Sequence, residues 1–155
     1  MKHLLFLLIC TVTLLSCNTD DDICISGEAT PRLKMKFKTA DNKLLQLDTL
    51  FVDVQYREGI RNVVYTAKAD SILLPFRVDD NAFTDIYIRR RKAGPQSKVR
   101  INYTTQSEYV SPACGIKRTY KDVTYSLEKA DPVTKVEPIQ TEIINEEPTH
   151  LYLIF

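Results

Sequence analysis

An all-β fold is predicted for this chain by three observations. Apolar and polar residues alternate with a period of two in several separate runs, turn-prone clusters fall between those runs, and no window sustains a helical period. Enrichment in β-branched residues and tyrosine points the same way. The expected architecture is a single antiparallel β-sandwich, immunoglobulin-like or jelly-roll-like, spanning residues 30–155, with a small barrel as the alternative.

The first run sets Leu33, Met35 and Phe37 on one phase and Lys34, Lys36 and Lys38 on the other, the pattern of a half-buried strand. Leu50, Val52, Val54 and Tyr56 alternate with Asp53 and Gln55, and Ile86 and Ile88 with Asp85, Tyr87 and Arg89. The period returns in Val99, Ile101 and Tyr103, in Val123, Tyr125 and Leu127, and in Leu151, Leu153 and Phe155. Turn signals lie at residues 40–43, 57–59, 78–81 and 92–95 and at Ser111-Pro112. Residues 130–148 carry Pro132, Pro138 and Pro148 and an excess of acids. Proline removes ladder donors, so a long connection or an edge strand around Ile139–Ile144 is expected there. Tyr56, Tyr103 and Tyr125 fall on apolar phases and read as core, whereas Tyr65, Tyr87, Tyr109, Tyr120 and Tyr152 are freer.

Ahead of the folded part, Met1, Lys2 and His3 form a short basic start. Leu4 to Leu15 follow as an apolar run too short to span a bilayer comfortably, which reads as a secretory signal. Leu14-Leu15-Ser16-Cys17 resembles the lipobox of bacterial lipoproteins; the resemblance implies removal of residues 1–16 and lipidation of Cys17. A thiol can carry a diacylglyceryl thioether and the freed amino group a further acyl chain, and two or more chains give stable anchoring. An ordinary secretory signal with a chance cysteine is the alternative. Residues 17–29 are then a lipidated tether. Its Asn18-Thr19-Asp20-Asp21-Asp22 stretch resembles the acidic signals that carry some Gram-negative lipoproteins to the cell surface, and a plain solvated spacer fits it too. The expected location is the outer membrane, lipid-anchored, with the outward face favoured over the periplasmic one.

Of the four cysteines, Cys10 leaves with the signal and Cys17 is taken by lipid. Cys24 and Cys114 remain, and in an oxidising compartment they are expected to form a disulfide, with about 4–5 kcal/mol of stabilisation from the long loop it closes. Two unpaired thiols or a reactive cysteine are the alternatives. Removing residues 1–16 lowers Lys plus Arg from 21 to 20, against 20 Asp plus Glu. A neutral chain argues against nucleic acid as a partner.

Chemistry-bearing motifs are sparse. The mature chain keeps one histidine, His150, which reads as an exposed side chain at the start of the last strand, and no GxSxG motif supplies a nucleophile. Asp79, Asn81 and Asp85 offer oxygen ligands, but Phe83 stands where the EF-hand pattern needs another, so a polar turn is expected, with no metal and no cofactor. The densest charge feature is Arg89-Arg90-Arg91-Lys92. It could contact an anionic glycan or lipid head group; edge protection, or pairing with the acidic segment near the C-terminus, is the simpler reading. Carbohydrate platforms would have to come from tyrosine, since tryptophan is absent. Leu151, Leu153 and Phe155 resemble the C-terminal signal of outer-membrane barrels, a reading the lipobox opposes.

Cys24-Ile25, Thr30-Pro31-Arg32-Leu33, residues Ser111 to Gly115 and the closing His150 to Phe155 together resemble a family of small uncharacterised lipoproteins from gut-type Gram-negative bacteria. That family implies no transferable activity, and its shared cysteines imply the same disulfide. The leading expectation is a non-enzymatic binding or assembly component of the cell envelope, held by Cys17 and partnered by an envelope protein. A surface glycan- or ligand-binding module is the second expectation and a small accessory hydrolase the third. An open sheet edge or exposed apolar patch would mark the first, a concave tyrosine-lined cleft the second, and two acids converging in a pocket the third.

Overall fold

The computed structural model describes residues 29–112 and 114–155. The signal segment, Cys17 and Cys24 lie outside the described residues. None of the described residues is helical, and the strands are β1 (Leu33–Lys38), β2 (Leu47–Tyr56), β3 (Gly59–Ala69), β4 (Ser71–Leu74), β5 (Phe83–Arg89), β6 (Ser97–Ser111), β7 (Gly115–Lys129), β8 (Lys135–Pro138) and β9 (Leu151–Ile154). They form two open sheets, ordered β4-β1-β9-β8 and β3-β2-β5-β6-β7. The protein is an all-β sandwich, and the barrel alternative is excluded.

Alternation explains the layers. Leu33, Met35 and Phe37 of β1 and Leu151 and Leu153 of β9 face the second sheet's Leu50, Val52, Val54, Ile86, Ile88, Val99 and Ile101, and all of them are fully buried in one core cluster. Each such side chain contributes about 1.5–3 kcal/mol on leaving water. Aromatic rings close one end of this core: Phe76 lies 4.9 Å from Tyr103 and 4.4 Å from Tyr120, centroid to centroid. Tyr120, expected to be free, is therefore buried. Phe76 comes from the segment after β4, so sequence alternation within β7 could not reveal the cover.

One pairing is not antiparallel. β1 and β9 run parallel, Met35 opposite Leu151 and Phe37 opposite Leu153. β9 runs antiparallel to β8, and the connection between them bonds to β7 of the other sheet, Val123 N donating to the Thr141 carbonyl at 2.8 Å, before the chain enters β9 beside β1. Of the two readings of residues 130–148, the long connection describes residues 139–150, where Ile143 makes an isolated bridge to Tyr120, and the edge strand lies earlier than Ile139–Ile144, at Lys135–Pro138, where Pro138 ends it. Strands β3 and β4 were not foreseen either. β3 pairs with β2 across the two-residue turn Arg57-Glu58, and the register slips between Val52 and Asp53. That bulge breaks the period of two in β3 and hides it from pattern reading.

β6 and β7 are the longest strands, and only half of their length belongs to the sandwich. β5 covers β6 from Ser97 to Asn102, and beyond that point Thr104–Ser111 pairs with β7 alone. The distal half is a two-stranded ribbon whose β6 side is exposed from Thr104 to Tyr109. Its β7 side is tied to the segment just before β1, where Arg118 N donates to Thr30 Oγ1 at 3.0 Å. Cys114, in the turn between the two strands, is disulfide-bonded. It is the only cysteine among the described residues.

Candidate functional site

The basic segment does not act as one patch. Arg89, the last residue of β5, turns back over the sheet: its guanidinium meets Asp53 at 2.8 Å, donates to the Lys92 carbonyl at 3.0 Å and lies 5.3 Å from the centre of the Phe51 ring. Arg90, Arg91 and Lys92 follow in the loop to β6 and are exposed, with no ion pair among the described residues. Arg90 and Arg91 line a cleft of about 580 Å3 with Asp48, Thr49, Gly94 and Pro95. The acidic C-terminal segment does not neutralise them. Glu137 instead meets Lys38 at 3.1 Å, and Glu146 meets Arg32 at 2.8 Å.

The outer face of the five-stranded sheet carries a network of charges from β2, β5, β6 and β7. Asp85 accepts from Arg100 Nε and Nη2 at 2.7 and 2.8 Å and meets Lys98 at 3.1 Å; Lys98 reaches on to Glu128 at 2.6 Å. Asp53 accepts from Asn62 Nδ2 at 2.7 Å besides pairing with Arg89. The Arg100 fork, followed by Lys98, holds the Asp85 carboxyl below the usual carboxylate range, against an opposing contribution from burial. The Glu128 carboxylate, followed by Asp85, pushes the Lys98 ammonium up. A carboxylate committed to two cations stays ionised at neutral pH and is a poor proton donor. The two buried acids of this face are thus structural ties, with the Phe83 ring lying under Arg100 at 4.5 Å.

The turn residues considered for a cation are similarly engaged. Asp79 is paired with Arg77, whose hydrogen bond holds its carboxyl low, and it also accepts from Asn81 N at 3.3 Å. Asp85 is held by Arg100 and Lys98, as above. Asp79, Asp80 and Asn81 border a cleft of about 370 Å3.

His150 departs from expectation. It is fully buried, not exposed. Its backbone N donates to the Lys34 carbonyl at 3.0 Å, and its Nδ1 accepts from Lys34 N at 2.8 Å, so the ring replaces a ladder partner beside β1. Burial pushes its pKa below the ordinary value; the nearby Asn145 backbone opposes this slightly, but Nε2 makes no hydrogen bond of normal geometry. A buried, neutral acceptor bonded to the backbone is a packing element.

Two exposed features were missed by pattern reading. β3 is the open edge of the five-stranded sheet, 11 residues long, with Ile60 and Tyr65 turned to solvent and Tyr65 67% exposed. Tyr65 stacks on Phe51 at 4.8 Å. At the far end of the ribbon, Tyr109 and Ile116 are direct cross-strand neighbours, 65% and 64% exposed. A sequence signal existed for both: β-branched and aromatic residues follow the turn at Arg57-Glu58-Gly59, and apolar residues flank Ser111-Pro112, where tight turns usually carry polar ones.

The model for DUF6452, a family of unknown function, matches residues 48–155, from within β2 to the last residue of the chain. The chain belongs to the DUF6452 family. The match takes in β3 and the whole β6–β7 ribbon, and leaves β1 outside. No curated protein and no solved structure matches the chain.

Proposed function

We propose that this DUF6452 protein is a lipid-anchored, non-enzymatic component of the cell envelope that binds another envelope protein along the open edge β3. The observation that carries the reading is the edge itself. At 11 residues it is about twice the usual strand length; its bulge opposite Val52 and Asp53 and the charges of Arg61 and Lys68 guard it only in part, since no proline interrupts it and Ile60 and Tyr65 are exposed along it. Strand addition to such an edge takes affinity from the backbone and specificity from alternate side chains. The acids of the sheet face are neutralised by cations, which leaves the hydrolase reading without a free carboxylate pair there. Lipidation at Cys17, an outer-membrane location and pairing of Cys24 with the disulfide-bonded Cys114 complete the proposal; they rest on the sequence and the export compartment it implies.

The exposed Arg90 and Arg91 at their cleft favour one second reading, capture of an anionic glycan or other ligand. Acyl labelling of the wild type and Cys17→Ala, followed by cross-linking in native cells and mass spectrometry, tests the proposal. We expect label only in the wild type, and a near-stoichiometric protein that is lost in the double variant Ile60→Asp, Tyr65→Asp. A Cys17→Ala protein that keeps its label contradicts the anchor, and an adduct that survives the β3 changes contradicts the edge.

A further inference from the structure

We infer that the tip of the β6–β7 ribbon, with Tyr109 and Ile116, sits in the head-group region of the bilayer and orients the domain on it. The inference rests on the lipid-anchor reading above. Thr105 opposite Tyr120, Ser107 opposite Arg118 and Tyr109 opposite Ile116 lie on one face of the ribbon, the continuation of the sheet's core face. Phe76 covers that face at Tyr120. At Arg118 it is met by the Val78 carbonyl, which accepts from Nη1 at 2.6 Å. At the tip Tyr109 and Ile116 are largely exposed.

The chain leading to the lipid site sets what meets this pair. Thr30 is fixed against Arg118, two positions along β7 from Ile116, and Cys114 in the adjoining turn is disulfide-bonded. Paired with Cys24, that bond leaves seven residues back to Cys17, an extended reach of about 25 Å. That reach ties the exposed pair of the tip to the acyl chains. Tyrosine suits the place because its ring is apolar and its hydroxyl wet, the balance that enriches it at membrane interfaces. Glu108 and Lys117, opposite each other on the other face, mark the wet side of the ribbon.

Because the chain has no tryptophan, Tyr109→Trp installs a single reporter. The lipidated full-length mature protein carrying it would be reconstituted into phosphatidylethanolamine and phosphatidylglycerol vesicles with brominated acyl chains, with Tyr65→Trp as comparator and acyl label confirmed in both. We expect the emission of Trp at 109 to shift to the blue and be quenched by bromine, and that at 65 to do neither. Labelled protein without quenching at 109 overturns the inference and leaves the lipoprotein reading standing. A blue shift without quenching overturns it in favour of a protein cover, and absence of acyl label in the wild type overturns both.

Discussion

Burial of the neutral His150 ring links stability to pH. Its pKa is lowered from 6.5 in the folded protein, so below that value the unfolded chain binds a proton the native state refuses. Stability is complete above about pH 6.5 and falls as the pH drops toward the folded pKa. His150→Asn, whose amide oxygen can still accept from Lys34 N, should remove this part of the decline, as read from urea midpoints between pH 7 and 5. The lowered carboxyls of Asp85 and Glu146 act in a separate window: their contribution is present above about pH 4 and is lost below it. Two tyrosines of the aromatic cluster separate hydrogen bonding from packing. Tyr103 shares a 2.8 Å hydrogen bond with Thr84, so Tyr103→Phe should cost about 1 kcal/mol. The Tyr120 hydroxyl is buried without a partner, and burial pushes its pKa up to about 12, so Tyr120→Phe should be neutral or stabilising by up to about 1 kcal/mol in the same urea titration.

Among the elements, the central strands and the ribbon lie at opposite ends of the stability range. Leu153→Ala in β9, a fully buried site between β1 and β8, should cost about 3 kcal/mol, whereas Ile116→Ser at the ribbon tip should stay within about 0.5 kcal/mol. Amide exchange should follow: protons of Thr105–Tyr109 should exchange well before those of Val52–Val54 and Ile86–Ile88, and equal protection would contradict the two-stranded description of the ribbon. The same contrast explains what could be read from the sequence. β1, β2, β5, β9 and the sandwich halves of β6 and β7 alternate apolar with polar residues because a single face is buried, and that period is visible without coordinates. β3 hid because its bulge breaks the period and because as an edge it buries little. The connection through residues 139–150 was legible from its prolines, but the edge strand lies before Pro138 and not around Ile139–Ile144, because at four residues β8 is too short to show a period. His150 and Tyr120 were misjudged for another reason: what covers each comes from distant segments, β1 at Lys34 and the loop at Phe76. The cations of the sheet face were legible as residues, but their partners were not, because Asp53, Asp85 and Glu128 reach them only across strands.

At the scale of the molecule, the long edge β3 has no outer strand partner among the described residues, and the charged outer face between the edges is internally neutralised. Asp85→Ala would leave Lys98 and Arg100 still paired with Glu128 on a partly exposed face, so it should cost only about 1–2 kcal/mol and leave partner binding intact. Binding through an edge and an anchor at Cys17 together describe a protein that holds a partner close to the membrane. A photoreactive amino acid placed singly at Arg61, Thr66 or Ser126 in the full-length protein, irradiated in native cells, tests that claim most directly. Arg61 and Thr66 lie on β3, and Ser126 is an exposed position on β7. The account predicts one common protein adduct from the two β3 positions and none from Ser126. Adducts from Ser126 alone, from all three positions equally, or from none would contradict it.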